Sequence, residues 1–289
     1  MKAAIYETVR KMAEAAAALA AGELSRHIAE NGRATFMAAT GASQFAFLDA
    51  LVRQSRVDWA PTEMFHLEEY IGLPESHPAS FRRYLRERLL DVVHPGRVHF
   101  INGSAADPWQ ECARLEQLVP EDGVDVAFVG IGENGHLAFN DPPANLANDD
   151  SFTVVSLTES CRAQQVHEGW FGTIQEVPDK PITVTIRGIL RSKCIVSAVP
   201  EARKAVAVRC DLSGTVRPAC PASVLVEHPR TYLFLDADAA SLLDEAAIHR
   251  WQEAQPSTRD DDQGSPNTAK RSSWATLGQD RERKEAQPG

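Results

Sequence analysis

The sequence predicts an α/β fold: an open, mostly parallel, doubly wound (Rossmann-like) sheet that is flanked by helices and followed by a disordered C-terminal tail. Short apolar runs alternate with segments of helical spacing, which is the pattern of successive βα units. The run Val124–Gly130, VDVAFVG, is apolar almost throughout, as expected for a parallel strand covered on both faces. At 289 residues the chain has an ordinary length for one α/β domain.

The individual elements follow from the same alternation. Residues 1–32, rich in alanine and with charges throughout, are predicted to form an amphipathic helix. Short apolar runs predict strands at Ala34–Ala39, Glu63–Leu67, Arg97–Ile101, Val124–Gly130, Phe152–Leu157, Lys193–Val199 and Thr231–Leu235. Helical spacing predicts helices at Gln44–Gln54, Ser80–Asp91, Trp109–Leu118, Glu201–Cys210 and Ala239–Gln252.

The composition changes near Trp251, and the predicted domain boundary lies there. Residues 252–289 contain only Trp274 and Leu277 as sizeable apolar side chains. Such a segment cannot bury enough apolar surface to offset its ordering entropy. Residues 1–251 are therefore predicted to form the folded domain, and residues 252–289 a disordered polar tail.

The composition also argues against two broad classes of function. With 30 basic and 40 acidic residues the chain carries a net charge of −10, whereas nucleic-acid-binding surfaces use basic residues to neutralise phosphates. No apolar run approaches the roughly 18 residues that a membrane-spanning helix needs. The N-terminal segment lacks the apolar stretch of a signal peptide. A cytoplasmic protein that binds neither nucleic acid nor membrane is therefore expected.

The five cysteines are widely spaced and include no C-x-x-C pair. An odd number at this spacing argues against a disulfide framework or a zinc site. The expected state is a free thiol at every position, in a reducing compartment. The positions are Cys112, Cys161, Cys194, Cys210 and Cys220.

Candidate site residues lie just after predicted strands, because ligands of such sheets bind at the carboxyl ends of the strands. After the first strand comes the turn Thr40-Gly41-Ala42-Ser43, which leads into a helix. Free amides at the helix start and two hydroxyls would suit a phosphate. An ordinary βα turn uses the same small residues, so the purely structural interpretation stays open. The turn is neither a P-loop nor a GxGxxG motif, so ATP and NAD are not favoured.

The second strand is followed by two adjacent carboxylates, Glu68 and Glu69. In an extended segment they point in opposite directions, so only one of them can face a cleft. A partly buried carboxylate at that place could act as a general base. A solvated acidic turn is the alternative.

The strongest signal follows the fourth strand, in the glycine-rich segment Gly130–His136, GIGENGH. The glycines allow a tight turn, and Asp141 lies five residues beyond His136. A histidine with a carboxylate nearby is an acid–base pair whose pKa can be set near neutrality. Asn134 is a further polar neighbour, and a structural histidine is the alternative.

Together these motifs resemble the glucosamine-6-phosphate deaminases (isomerases), a family that shares its fold with 6-phosphogluconolactonases and ribose-5-phosphate isomerases. The similarity spans approximately residues 20–245 in collinear order. It is carried by TGAS, FHLEEYIGLPESHPASFRRYL, GIGENGHLAFNDP and EARKAVAV. The form GHLAFNDP favours the deaminase branch, because the lactonase branch resembles GHTASLFP at that point.

The resemblance implies a catalytic role for four residues. Glu68 corresponds to the base that removes the C2 proton, where the family usually has Asp in a DEY triplet. His136 corresponds to the histidine that assists ring opening, and Asp141 to a carboxylate, usually Glu, that pairs with it. Asn134 matches a position where the family has Asp or Asn.

Further positions are implied for substrate binding. The turn Thr40–Ser43 matches the sugar-phosphate loop, Lys204 matches a lysine that contacts the phosphate, and Glu69 and Gly135 fall among the substrate-binding residues. The segment Cys161–Pro178 matches a mobile lid that carries a substrate arginine in the family. Here Arg162 is present, and the usual arginine aligns near His167.

The implied reaction converts glucosamine 6-phosphate and water to fructose 6-phosphate and ammonia, a step of cytoplasmic amino-sugar catabolism. No metal and no organic cofactor is implied, and the sequence offers no clustered ligands for a metal. The segment Asn145–Thr153 is acidic, which predicts no allosteric activation by an N-acetyl sugar phosphate. A homo-oligomer is left open.

Three alternatives to the deaminase reaction remain. A 6-phosphogluconolactonase would use the histidine to activate water and would need no base at Glu68. An isomerase of another sugar phosphate would keep Glu68 and release no ammonia. A sugar-phosphate sensor could keep the TGAS turn without the base.

Overall fold

A seven-stranded sheet, in which every neighbouring pair of strands is parallel, forms the centre of the fold. The computed structural model describes residues 1–252. Its strands are β1 (Lys2–Tyr6), β2 (Ala34–Ala38), β3 (Thr62–His66), β4 (Glu68–Tyr70), β5 (Arg97–His99), β6 (Val126–Val129), β7 (Phe152–Val154), β8 (Pro181–Val184), β9 (Cys194–Val199) and β10 (Thr231–Asp236). The order in the large sheet is β1-β10-β9-β6-β2-β3-β5, and β4-β8-β7 form a smaller antiparallel sheet.

The helices connect the strands and cover the large sheet. They are α1 (Val9–Asn31), α2 (Phe45–Leu51), α3 (Phe81–Leu85), α4 (Pro108–Glu116), α5 (Glu159–His167), α6 (Ile186–Leu190), α7 (Ala205–Asp211) and α8 (Glu245–Gln252). Short 3₁₀ turns at Ala42–Gln44 and Ala202–Lys204 precede α2 and α7, and a π-type turn, Arg86–Leu90, extends α3. The predicted α/β class is confirmed.

The large sheet is buried on both faces. Along β2, Phe36 packs in one hydrophobic cluster and its neighbour Met37 in the other. The same alternation occurs in β6, where Phe128 and Val129 belong to opposite clusters. Successive strand residues point to opposite sides, so two separate cores flank one sheet. This arrangement explains why VDVAFVG shows no polar alternation.

The strand order reverses between β2 and β6, which are neighbours in the sheet. From β2 the chain continues outward on one side to β3 and β5, and then returns to β6 on the other side. The loops after β2 and β6 therefore diverge at the carboxyl edge and leave a crevice between them. Open α/β sheets bind their ligands at such a reversal.

The prediction of one helix from the first residue is wrong. Residues Lys2–Tyr6 form the edge strand β1, which pairs in parallel with β10, and α1 begins only at Val9. Thr8 caps α1 by accepting a hydrogen bond from the Lys11 amide, and Gly32 ends it with φ of 73°. The local pattern missed β1 because its partner strand lies at the far end of the sequence.

The sequence prediction also lacked the small sheet and two helices. Strands β4 and β8 pair next to the crevice, with Glu68 opposite Thr183. Both are short, three and four residues, so they carry too few positions for a periodic signal. Helix α5 follows β7, which the pattern extended too far. Helix α6 follows β8, which the pattern missed.

The expectation of five free thiols is wrong for two cysteines. Cys210 and Cys220 form a disulfide, with their Cα atoms 6.4 Å apart. Cys210 lies in the last turn of α7, and the chain reverses over the next ten residues to bring Cys220 beside it. Sequence spacing cannot show this reversal. Cys112, Cys161 and Cys194 are free and buried.

Two further predictions concern membrane-spanning helices and the C-terminal tail. No helix within residues 1–252 is long and apolar enough to cross a membrane. The predicted tail, residues 252–289, lies outside the described residues from position 253 onward.

Candidate active site

A pocket opens in the crevice between the loops after β2 and β6. It is lined by Ala39, Thr40, Gly41, Ser43, Leu67, Glu68, Phe81, Gly130, Ile131, Gly132, His136, Ala138, Phe139, Gln164, Gln165, Glu168 and Lys204. The three strand exits that the sequence singled out therefore meet in one place. Of the predicted site residues, Thr40, Gly41, Ser43, Glu68, His136 and Lys204 line the pocket.

The turn after β2 is held in place by contacts from three directions. Gly41 has φ of 96°, and its carbonyl accepts a hydrogen bond from the Tyr84 hydroxyl. Gln44 is fully buried and donates to the Ala198 carbonyl in β9. A Cβ atom at Gly130 would lie 2.9 Å from the Gln44 amide nitrogen, so a side chain there would displace the Gln44 amide. The turn and the loop after β6 are thus packed against each other.

Glu68 is a buried carboxylate with few partners. Its Oε1 accepts a hydrogen bond of 2.6 Å from the Thr40 hydroxyl, and its Oε2 is buried without a partner. Burial raises the pKa of Glu68 to about 7; the hydrogen bonds from Thr40 oppose this, and the charge of Glu69 adds to it. The carboxylate can therefore take up and release a proton near neutral pH.

Glu69, predicted to bind substrate, lies on the opposite face of β4 and does not line the pocket. It accepts hydrogen bonds from the Ser80 hydroxyl, the Phe81 amide, and the Arg82 amide and guanidinium. Burial raises the pKa of Glu69, and these hydrogen bonds oppose the shift. The carboxylate fixes the start of α3 and has no oxygen left for a ligand.

His136 is held by a network of polar side chains. Its Nδ1 lies 2.8 Å from the Asn134 amide oxygen and 3.4 Å from an Asp141 oxygen. Asn134 also donates to that Asp141 oxygen at 3.0 Å, and Thr158 donates twice to the other. Because both neighbours of Nδ1 are acceptors, this network assigns the proton to Nδ1 and leaves Nε2 as an acceptor.

Asp141 stays ionised beside this histidine. Burial would raise the pKa of Asp141, but hydrogen bonds from His136, Thr158 and Asn134 outweigh that effect and lower it. Asn134 and Asp141 do not line the pocket; they contact it through His136. The arrangement orients the His136 imidazole toward the pocket.

The glycines of the segment after β6 are required by close contacts. A Cβ atom at Gly132 would collide with the His136 ring, and Gly135 has φ of 83°. The Gly132 amide donates to the His136 carbonyl, and the Gly135 amide to the Gly132 carbonyl. Gly135 therefore shapes the turn and is not itself part of the pocket wall.

Lys204 and Arg203 form the basic side of the pocket region. Lys204 is 1 % exposed, and burial lowers its pKa, an effect that the charge of Glu168 partly offsets. Arg203 pairs with three carboxylates: Glu133 at 3.2 Å, Glu168 at 3.4 Å and Glu201 at 2.5 Å. Arg203 was not among the predicted site residues, although it stands next to Lys204 in EARKAVAV.

In this conformation neither Arg162 nor His167, both predicted to bind substrate, lines the pocket. The Arg162 guanidinium donates to the Ile174 carbonyl at 2.6 Å and so ties α5 to the segment that follows it. His167 is the exposed last residue of α5. At 3.6 residues per turn the inner face of α5 instead presents Gln164, which lines the pocket with Glu168 just beyond the helix.

Ala42 does not line the pocket either, although its neighbours do. It begins the 3₁₀ turn Ala42–Gln44, and the Gln44 amide donates to the Gly41 carbonyl. Ala42 therefore contributes to this turn through its backbone and not through its side chain.

Possible metal ligands do cluster here, contrary to the sequence expectation. One donor atom each from His136, Asp141 and Cys161 lie within 4.8 Å of one another. Burial raises the pKa of the Cys161 thiol well above its usual value, and the nearby carboxylate of Asp141 adds to this. In this structure the Asp141 carboxylate accepts hydrogen bonds from Asn134 and Thr158 and lies 3.4 Å from His136 Nδ1.

Comparisons with known proteins agree on one family. A family model described as glucosamine-6-phosphate isomerases/6-phosphogluconolactonase matches residues 7–233. A glucosamine-6-phosphate deaminase of Exiguobacterium sibiricum is 36% identical over 247 residues, 86% of this chain and 95% of that protein. A relative of the same name from Bacillus cytotoxicus is 33% identical over 246 residues, 85% of this chain and 90% of that protein.

Solved structures extend the comparison. A monomeric glucosamine-6-phosphate deaminase is similar with a TM-score of 0.76 and 31% identity, over 84% of this chain and 100% of that one. The 6-phosphogluconolactonase of Trypanosoma brucei has a TM-score of 0.69 at 15% identity, over 84% of this chain and 98% of that one. The second match concerns the fold alone.

Proposed function

Because the chain belongs to the glucosamine-6-phosphate isomerase/6-phosphogluconolactonase family, we propose that it converts glucosamine 6-phosphate and water to fructose 6-phosphate and ammonia. The observation that carries the proposal is the carboxylate of Glu68. It is buried in the pocket, has one unpartnered oxygen, and has a pKa raised to about 7. A reaction that moves a proton between two carbons needs such a base, and lactone hydrolysis does not.

The mechanism begins with opening of the sugar ring. His136, held at Nδ1 by Asn134 and Asp141, accepts the anomeric hydroxyl proton at Nε2 and returns a proton to the ring oxygen. The lowered pKa of Asp141 keeps it anionic, so it stabilises the imidazolium that forms in between. The product of this step is the open-chain aldehyde with an amine at C2.

Proton transfer between carbons follows. Glu68 Oε2 takes the C2 proton and delivers it to C1, while the C1 oxygen gains a proton and the C2 nitrogen loses one. The C2 amine thereby becomes an imine and the C1 aldehyde becomes an alcohol. Water then adds to the imine carbon, and ammonia leaves. The proton balance is closed, so no redox partner enters the reaction.

The phosphate serves as a handle far from the reacting carbons. Amides of the turn Thr40–Ser43 and the Ser43 hydroxyl, together with Lys204, would hold it at the start of the chain segment that leads into α2. Because Thr40 also donates to Glu68, the same residue links the phosphate end to the base. Remote binding energy would in this way orient C1 and C2 at the carboxylate.

A side-by-side assay of the purified protein tests the proposal. Ammonia release from glucosamine 6-phosphate and hydrolysis of 6-phosphogluconolactone are measured on one preparation, with a Glu68→Gln sample in parallel. We expect ammonia release that needs Glu68 and little lactone hydrolysis. Rapid lactone hydrolysis that Glu68→Gln leaves intact would assign the lactonase reaction instead.

Phosphorylated sugars carry a charged group that does not cross membranes unaided, so we propose that the enzyme works in the cytoplasm, in amino-sugar catabolism.

We also propose that residues 1–251 are sufficient for folding and activity. A chain that ends at Trp251 is expected to match the full-length protein in thermal melting and turnover. A large loss of either would assign residues 252–289 a role in the folded body.

A further inference from the structure

A buried carboxylate lies at the basic side of the pocket, where an anion would be expected to bind. Glu168, directly after α5, has a side chain that is 4 % exposed and lines the pocket together with Lys204. Its Oε2 is 3.8 Å from the place where a Cβ atom of Gly41 would stand, and its Oε1 is 3.4 Å from the Arg203 guanidinium. The carboxylate thus lies beside Gly41 in the turn after β2 and is paired with Arg203 in the basic segment that precedes α7.

Two further side chains hold this carboxylate in position. Gln164 donates to Oε1 at 2.8 Å, and the Trp170 indole donates to Oε2 at 3.1 Å. Trp170 itself packs on Phe45 and Tyr84, beside the turn. Both oxygens of Glu168 therefore accept hydrogen bonds from the lid segment. Its negative charge interacts with Arg203 and Lys204 on the basic side of the pocket.

We infer that Glu168 occupies the phosphate subsite in this conformation, and that the phosphate of the substrate displaces it. Such a carboxylate has the charge sign and the hydrogen-bonding preferences of a phosphate oxygen pair. A phosphate that entered with Glu168 in place would meet a like charge at close range, which is costly in a poorly solvated site. The inference rests on the proposed function only in that the natural anion is taken to be a sugar phosphate.

Displacement has a consequence for Arg203. In this conformation its charge is shared among Glu133, Glu168 and Glu201. When Glu168 leaves, the guanidinium becomes available to the incoming phosphate, for which its planar fork is well suited. Phosphate binding is then coupled to movement of the lid segment. The interactions of Glu168 determine how tightly an anion must bind before the lid segment moves.

The test uses inorganic phosphate and the full-length protein. Binding is measured by calorimetry at constant ionic strength for the native protein, Glu168→Gln and Glu159→Gln. Glu168→Gln keeps the size and the hydrogen-bond acceptor but removes the charge. Glu159→Gln removes an exposed carboxylate from the first turn of the same helix and is the matched control.

We expect Glu168→Gln to bind phosphate about tenfold more tightly, since removing a like charge at this range is worth at least one factor of ten. Glu159→Gln should bind as the native protein does. Equal or weaker binding by Glu168→Gln would overturn the inference, and so would an equal gain in both variants.

Two readouts separate this inference from the proposed function. The KM for glucosamine 6-phosphate should fall about as much as the phosphate dissociation constant, with kcat changed less than KM. Phosphate should alter the tryptophan fluorescence of the native protein, and Trp170→Phe should lack that change. If no ammonia is released but phosphate binds more tightly to Glu168→Gln, the proposed reaction fails and the assignment of Glu168 stands.

Discussion

The two faces of β4 carry neighbouring glutamates with opposite surroundings. Glu69 is saturated by amide, hydroxyl and guanidinium donors at the start of α3. Glu68 accepts one hydrogen bond from Thr40 and keeps a buried oxygen without a partner. Both side chains are buried, so burial alone does not distinguish a structural carboxylate from a reactive one. The two carboxylates differ in the number of hydrogen bonds that each already accepts.

This contrast separates stability from reactivity along a single strand. Donors around Glu69 stabilise its charge and bind α3 to the small sheet. Burial raises the pKa of Glu68, with hydrogen bonds from Thr40 alone opposing the shift, and its unpartnered oxygen is an acceptor for a substrate proton. The same substitution, Glu to Gln, should therefore have opposite consequences at the two positions.

The largest expected effect is the loss of stability in Glu69→Gln. One oxygen becomes an amide donor that faces other donors, and the buried Arg82 guanidinium loses its charged partner. Breaking a buried pair in this way costs about 3 kcal/mol or more, or a melting temperature lower by about 6–12 °C for a domain of this size. Thermal melting measures it. A variant that melts within about 2 °C of the native protein would show that Glu69 contributes little.

The second effect is the loss of turnover in Glu68→Gln, by about 10² or more, because the amide cannot accept the C2 proton. The measurement is ammonia release together with solvent exchange of the C2 proton. Exchange at the native rate would contradict the role of Glu68 as the base.

The same variant should be more stable than the native protein at alkaline pH. Since the pKa of Glu68 is raised to about 7, the folded state holds this proton more tightly than the unfolded state does. Stability of the native protein therefore falls as pH rises from about 4.5 to about 7, by up to about 3 kcal/mol. Glu68→Gln has no carboxyl group to ionise at this position, so it does not lose this stability. Its melting temperature should match the native value near pH 4 and exceed it at pH 8.

The smallest effect concerns the single hydrogen bond to Glu68. Turnover should rise with pH to a midpoint near 7, because only the ionised carboxylate is a base. Thr40→Ala removes a donor that stabilises the ionised form, so the midpoint should move to higher pH. Thr40→Ser keeps the hydroxyl and should keep the native midpoint. If Thr40→Ala leaves the pH profile unmoved, another group controls the titration.

Much of the fold and part of the site could be predicted from the sequence. Strands such as β6 are apolar throughout, and the residues after β2, β3 and β6 carry the polar groups that meet in the pocket. Alternation along an extended segment also implied that only one of Glu68 and Glu69 could face the cleft. The choice between them depends on which face β8 and α3 cover, and that is a tertiary contact.

Other features depend on contacts that no local pattern encodes. Glu168 was missed because its importance comes from Arg203 and Gly41, which are distant in sequence. His167 was selected by alignment, but the helical repeat turns its neighbours toward the pocket and leaves it exposed. The disulfide between Cys210 and Cys220 likewise reflects a chain reversal that sequence spacing does not reveal.

The position of β1 has a consequence for synthesis of the chain on the ribosome. Within residues 1–252 it is an edge strand whose only partner in the sheet is β10, which begins at Thr231. At about 5–20 residues per second, β1 waits roughly ten to fifty seconds before that partner has been made. Throughout this interval the nascent chain exposes an unpaired strand, and α1, which follows it directly, has no β10 to pack against. Completion of the large sheet is therefore expected late in synthesis, at a time when the crevice between β2 and β6 can already have formed.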